Sequence, residues 1–157
     1  MRLETTRFGV IEVDAEAVIT FTQPIIGFND LRRFVLLPGP PDTVVKWLQS
    51  VERGDVAFIL VDPRMVYPGY EVDLQADEMA ELAIGSVTEL DVYSLVVVPA
   101  DHSQVRTNLK APIVVNPVQR LAKQAILERR DYPIQFFLAR PREESEGPKE
   151  VAHARAD

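Results

Sequence analysis

The chain has 157 residues and 46% hydrophobic content, enough for one domain around a single core, and its mean hydropathy of −0.03 suits a globular protein. It has no cysteine, which excludes disulfides and thiolate chemistry, and no apolar run near the roughly 20 residues that a membrane-spanning helix needs. A formal net charge of −7 argues against direct nucleic-acid binding, which relies on a Lys/Arg footprint against phosphates.

Strand signals dominate the chain. Leu3 to Phe8 and Val10 to Val13 read as two short strands about Gly9, and Ala17 to Phe21 as a third that stops at the Pro24 to Gly27 turn. Asn29 to Arg33 is expected to cap one helical turn. Phe34 to Leu37 is a buried strand halted by Pro38-Gly39-Pro40-Pro41. Val44 to Leu48 and Val56 to Val61 are two more, across an Arg53-Gly54-Asp55 turn. Trp47, the single tryptophan, alternates with Val45 on one face and is expected in the core. Tyr67-Pro68-Gly69-Tyr70 reads either as a surface lip or as a loop anchor.

One helix is expected from Gln75 to Ala83, with Leu74, Met79, Leu82 and Ala83 apolar, Asp73 as N-cap and Gly85 as terminator. Leu90 to Pro99 is a strong strand. Thr107 to Pro117 reads as turn, short buried strand, turn. Val118 to Leu127 fits either a helical stripe or a strand, and Ile134 to Leu138 is a last strand. Turn signals thus recur about every ten residues, the spacing of a sandwich or barrel. The fold class is mainly β: a small β-barrel-like single domain over 1–138 with one or two short helices. Residues 139–157 are charged and breaker-rich, and are expected to form a flexible tail.

Charge is segregated along the chain. Between Arg64 and Arg106 there is no Lys or Arg, while Glu71, Asp73, Asp77, Glu78, Glu81, Glu89, Asp91 and Asp101 fall there. From His102 to Arg130 the sign reverses. If the fold separates these segments, the molecule has an acidic side fit for a basic protein; otherwise the two segments pair internally. Enzyme signatures are missing. His102 and His153 lack ligand spacing to another His or a Cys, the serines have no elbow glycines, and no glycine-rich run cradles a phosphate. No cofactor or metal site and no catalytic residue is expected.

Several fragments occur in a telling order: Gly9-Val10-Ile11-Glu12-Val13, Pro24-Ile25-Ile26-Gly27-Phe28, Trp47-Leu48-Gln49-Ser50 and Asp62-Pro63. They are followed by Thr107-Asn108-Leu109-Lys110-Ala111-Pro112-Ile113-Val114-Val115-Asn116, then Gln124-Ala125-Ile126-Leu127 before Tyr132. Together they resemble the bacterial flagellar assembly factor FliW family over residues 1–138. The resemblance implies a cytoplasmic, non-enzymatic, β-barrel-like protein with two competing partners. One is flagellin, held before export. The other is the translational regulator CsrA, a basic RNA-binding dimer that free FliW antagonises, relieving repression of flagellin mRNA. No membrane and no direct nucleic-acid contact is implied. The expected partner-binding residues are Glu71, Asp73, Asp77 and Glu78 on the acidic stretch, toward CsrA, and Asn108 and Leu109 in the loop. An oligonucleotide-binding β-barrel is the alternative reading.

Overall fold

The period-two runs form eleven short strands in the computed structural model, which describes residues 1–138; the tail expected over 139–157 lies outside the described residues. They are β1 (Arg2–Thr5), β2 (Gly9–Glu12), β3 (Ile19–Phe21), β4 (Arg33–Pro38), β5 (Lys46–Ser50), β6 (Ala57–Val61), β7 (Asp91–Val97), β8 (Arg106–Thr107), β9 (Ile113–Asn116), β10 (Leu121–Gln124) and β11 (Phe136–Phe137). β1 and β2 make a separate hairpin. The main sheet runs β11-β8-β7-β6-β5-β4-β3-β10-β9, and β9 pairs back onto β7. Seven strands, β3 to β7 with β9 and β10, therefore close into a barrel, and β8 and β11 extend from β7 as a flap. The pairing of β3 with β10 is parallel, whereas the other pairings are antiparallel.

Alternation along each strand divides the apolar side chains between two cores. Ile19, Phe21, Phe34, Leu48, Leu60, Ile113, Val115 and Ala122 fill the barrel, closed at its rim by Ile25, Leu31 and Phe28. Phe21 meets Phe34 edge-on with centroids 5.1 Å apart, and Phe28 meets Phe58 at 5.0 Å, the geometry that aromatic quadrupoles favour. On the outer face of β7, β9 and β10 a second core gathers Val92, Val114 and Ala125 with Tyr70, Val72, Leu82, Ile84, Leu109 and Leu127. The long excursion from β6 to β7 supplies the first four of its outer members. It carries two short helices, α1 (Pro63–Val66) and α2 (Ala76–Glu81). Tyr67 and Tyr70 anchor this excursion, Tyr70 stacking on Tyr132 at 4.5 Å.

Several local expectations change. No helix forms at Asn29 to Arg33, where Leu31 N–H instead bonds Phe28 O in a turn (3.1 Å). The N-cap of α2 is Gln75, whose N–H donates to Glu78 Oε1 at 3.0 Å, while Asp73 is drawn off to Arg130. Gly85 does not end the helix. Ala83 takes the left-handed conformation (φ 59°). Its N–H bonds Ala80 O and Ile84 N–H bonds Met79 O, the double bond pattern of a Schellman cap. Asn116 Nδ2 donates to Leu82 O at 2.8 Å, so a tertiary contact fixes a cap that a glycine would have supplied locally. The ambiguous stretch Val118 to Leu127 forms β10, entered through a left-handed Arg120 (φ 57°). α1 and the two-residue strand β8 are not among the expected elements.

Trp47 is buried, yet outside both cores. Leu48 fills the barrel, so period two sends Trp47 and Gln49 outward, where the β1–β2 hairpin covers them. The Phe8 ring lies edge-on to Trp47 at 5.5 Å and the Arg7 guanidinium sits 4.6 Å over it. Thr6 N–H bonds Gly54 O at 3.0 Å, and a Cβ on Gly54 would stand 2.1 Å from Glu4 O. That approach is what requires glycine in the Arg53-Gly54-Asp55 turn.

Candidate partner-binding surface

The acidic stretch and the basic stretch come together on the outer wall of the barrel, where they pair. Lys123 points outward from β10 beneath α2, and its ammonium reaches Glu78 Oε2 at 3.3 Å and Glu81 Oε1 at 3.1 Å. Only 8% of its side chain is exposed. Burial alone would lower its pKa, but the two carboxylates outweigh burial and hold it above the usual lysine value. Burial likewise would raise the Glu81 carboxyl, and hydrogen bonds from Thr22 and Lys123 reverse this to hold it below the ordinary carboxylate value. Glu81 also receives Gln23 Nε2 at 3.2 Å.

A second clasp lies next to the first. Arg130 grips Asp73 through Nε (2.5 Å) and Nη2 (3.1 Å) in a forked arrangement, and its Nη2 also reaches Glu71 at 2.8 Å. The hydrogen bond from Arg130 is the main reason the Asp73 carboxyl sits below its ordinary value. Tyr132 Oη accepts the Glu71 N–H at 2.8 Å. Asp77 is exposed on α2, and among the described residues its carboxylate accepts only its neighbour's amide, Glu78 N–H, at 3.0 Å. Thus Glu71, Asp73 and Glu78 face solvent with part of their charge neutralised, while Asp77 presents its charge openly. A groove of about 340 Å³ runs between these carboxylates, with Gln23, Ile126 and Arg129 on its other bank.

Asn108 and Leu109 sit at the foot of this wall. Asn108 Oδ1 accepts Lys110 N–H at 2.9 Å and Ala111 N–H at 3.1 Å, closing the turn into β9. Leu109 is 0% exposed within the outer core, and its carbonyl accepts the Tyr70 hydroxyl at 2.6 Å. Burial pushes that phenol well above its ordinary pKa. The Lys110 ammonium donates to Arg130 O. The loop therefore reaches the acidic surface through Arg130, not through its own exposed atoms. Glu81, Lys123 and Gln23 were absent from the expected set. The one signal for Lys123 was its place in an alternating run, visible only once that run is read as a strand.

Among the described residues no group of three His, Cys, Asp or Glu side chains is disposed to hold a metal ion, and no helix is long and apolar enough to cross a membrane. The fold and surface define a small closed barrel whose outer wall carries an excursion clasped by ion pairs. The chain belongs to the FliW family: the model of that family, described as FliW protein, matches residues 2–138. It is 40% identical over 128 residues to the flagellar assembly factor FliW of Bdellovibrio bacteriovorus, covering 82% of this chain and 73% of the relative. It is 35% identical over 139 residues to that of Ruminiclostridium cellulolyticum, covering 88% and 94%. A crystal structure of the flagellar assembly factor FliW superposes with a TM-score of 0.79 at 32% identity, over 87% of this chain and 96% of that one.

Proposed function

We propose that this protein is a cytoplasmic flagellar assembly factor that works by binding and catalyses nothing. It holds flagellin before export, in the manner of a chaperone, and when free it binds CsrA and relieves the repression of flagellin mRNA. The observation that carries this reading is the family match over residues 2–138, joined to relatives that bear the name flagellar assembly factor.

The acidic outer wall is the CsrA-facing surface in this proposal. A basic RNA-binding dimer is drawn to carboxylates, and opposite fields speed encounter more than they deepen affinity. Asp77 contributes an open charge; Glu71, Asp73 and Glu78 contribute charges whose positions Arg130 and Lys123 fix. Asn108 and Leu109 enter as the loop that sets the height of Arg130. The test is association of the purified chain with flagellin and with CsrA by stopped flow. Asp77→Lys should slow the CsrA encounter at low salt and flatten its salt dependence. An unchanged rate would remove the acidic wall from the interface, and failure to bind either protein would remove the partner assignment.

A further inference from the structure

We propose, resting on the acidic-wall reading above, that Ile26 and Ile126 are the apolar anchors of that wall. The groove there then takes a short partner segment in which a leucine-like side chain sits between lysines or arginines. Ile126 lines the groove together with Leu74. Ile26 stands at its rim, where Gln124, another lining residue, accepts the Ile26 N–H through Oε1 at 3.0 Å. Ile26 is 65% exposed and Ile126 49%. A single exposed isoleucine needs no explanation; two beside one groove make an apolar patch.

Buried neighbours hold both isoleucines outward. Ile25 is sunk in the barrel rim and Phe28 N–H bonds its carbonyl at 2.8 Å, so the turn leaves Ile26 outside. Ala125 and Leu127 are buried in the outer core, and their N–H groups bond Pro112 O at 2.9 Å and Lys110 O at 2.8 Å. Ile126, between them, is turned away from that core. Side chains already fixed in place lose little freedom when a partner covers them. Charge selects the occupant. Asp73, Asp77, Glu78, Glu81 and Glu128 line the groove against two cations, Lys123 and Arg129. Lys123 is held by Glu78 and Glu81, and Arg130 clasps Asp73 from outside the lining. Asp77 and Glu128 are exposed, and among the described residues neither has an ion-pair partner. An acidic segment would be repelled here; an apolar residue with a cation on each side meets both the isoleucines and the carboxylates. The volume of about 340 Å³ suits a few side chains of such a segment.

Short synthetic peptides titrated into the full chain, followed through the methyl resonances of Ile26 and Ile126, test this. One probe carries a leucine between two lysines, a second carries serine for the leucine, and a third carries glutamates for the lysines. The lysine–leucine peptide should shift both sets of methyl resonances saturably. The serine peptide should bind about tenfold more weakly, a difference of about 1.4 kcal/mol, and the glutamate peptide should not saturate. Ile26→Ser and Ile126→Ser should each bring the first peptide down toward the second, with unfolding midpoints confirming that each variant folds. Equal binding of the leucine and serine peptides, or no saturable shift, would overturn the proposal. So would concentration-dependent shifts without any peptide, which give the groove to a second copy. Tighter binding by a free peptide of the sequence 139–157 would likewise overturn it, giving the groove to the chain's own terminus. Failure of the wall reading looks different: the lysine–leucine peptide still binds at the isoleucines, upholding the groove, while the CsrA encounter ignores Asp77→Lys.

Discussion

An ammonium group with 8% of its side chain exposed loses most of its hydration, and Lys123 recovers that loss from Glu78 and Glu81. Removing the cation strands two partly buried carboxylates, so Lys123→Ala should lower stability by about 2–3 kcal/mol. Lys123→Met combined with Glu78→Gln and Glu81→Gln should recover most of it, because no unpaired charge is then left. Denaturant melts of the set decide between these outcomes; equal losses would show that the alkyl stem, not the charge, matters. The Asp73 clasp shows itself through pH. Its carboxyl is held below the ordinary value by Arg130, so the folded state binds that proton less readily than the unfolded chain. The stabilisation is complete above the unfolded pKa of about 3.9 and is lost as pH falls through the lower folded value. Asp73→Asn should flatten the acid limb of the stability profile and leave its neutral-to-alkaline part parallel to wild type. Asn108→Ala, which frees two amides at the turn into β9, should cost about 1–2 kcal/mol.

At the level of elements, the covering of β5 by the β1–β2 hairpin depends on one close approach. Gly54→Ala drives a Cβ into Glu4 O, a backbone atom that cannot rotate away. It should destabilise by about 1–3 kcal/mol, with faster amide exchange confined to the hairpin and the β5–β6 turn. Strands were the legible part of the sequence, because β-branched runs bounded by Gly, Pro and Asn carry their own local signal. Phe34 to Leu37 and Val56 to Val61 lie within one or two residues of the observed β4 and β6. What was illegible depends on contacts distant in sequence. Asp73 looks like a helix cap until Arg130 is beside it, and Ala83 looks unfit for a left-handed turn until Asn116 takes the Leu82 carbonyl. Trp47 reads as core by type and by alternation with Val45, and only the register of β5 shows that its face is the outer one. The acidic stretch was visible as a run of charge; its pairing with Lys123 and Arg130 was not, since forty-odd to nearly sixty residues separate the partners.

For the molecule as a whole, β9 is the wall between the two cores. Ile113 and Val115 face the barrel interior while Val114 faces the outer core, so neither core can melt without disturbing the other. Unfolding should therefore be a single transition, with Trp47 emission and far-ultraviolet circular dichroism superimposing. Val114→Ala, which deletes two buried methyl groups, should shift both probes together by about 1–3 kcal/mol. An earlier fluorescence transition would mean that the β1–β2 hairpin detaches as its own unit.

Ring closure has one more result. Pairing β9 to β7 leaves, among the described strands, only β1, β2 and β11 without a neighbour on one side, and these are four, four and two residues long. Such stubs offer too little main chain to template a growing filament. A protein proposed to keep company with a self-polymerising subunit is thus itself a poor recruit for polymerisation.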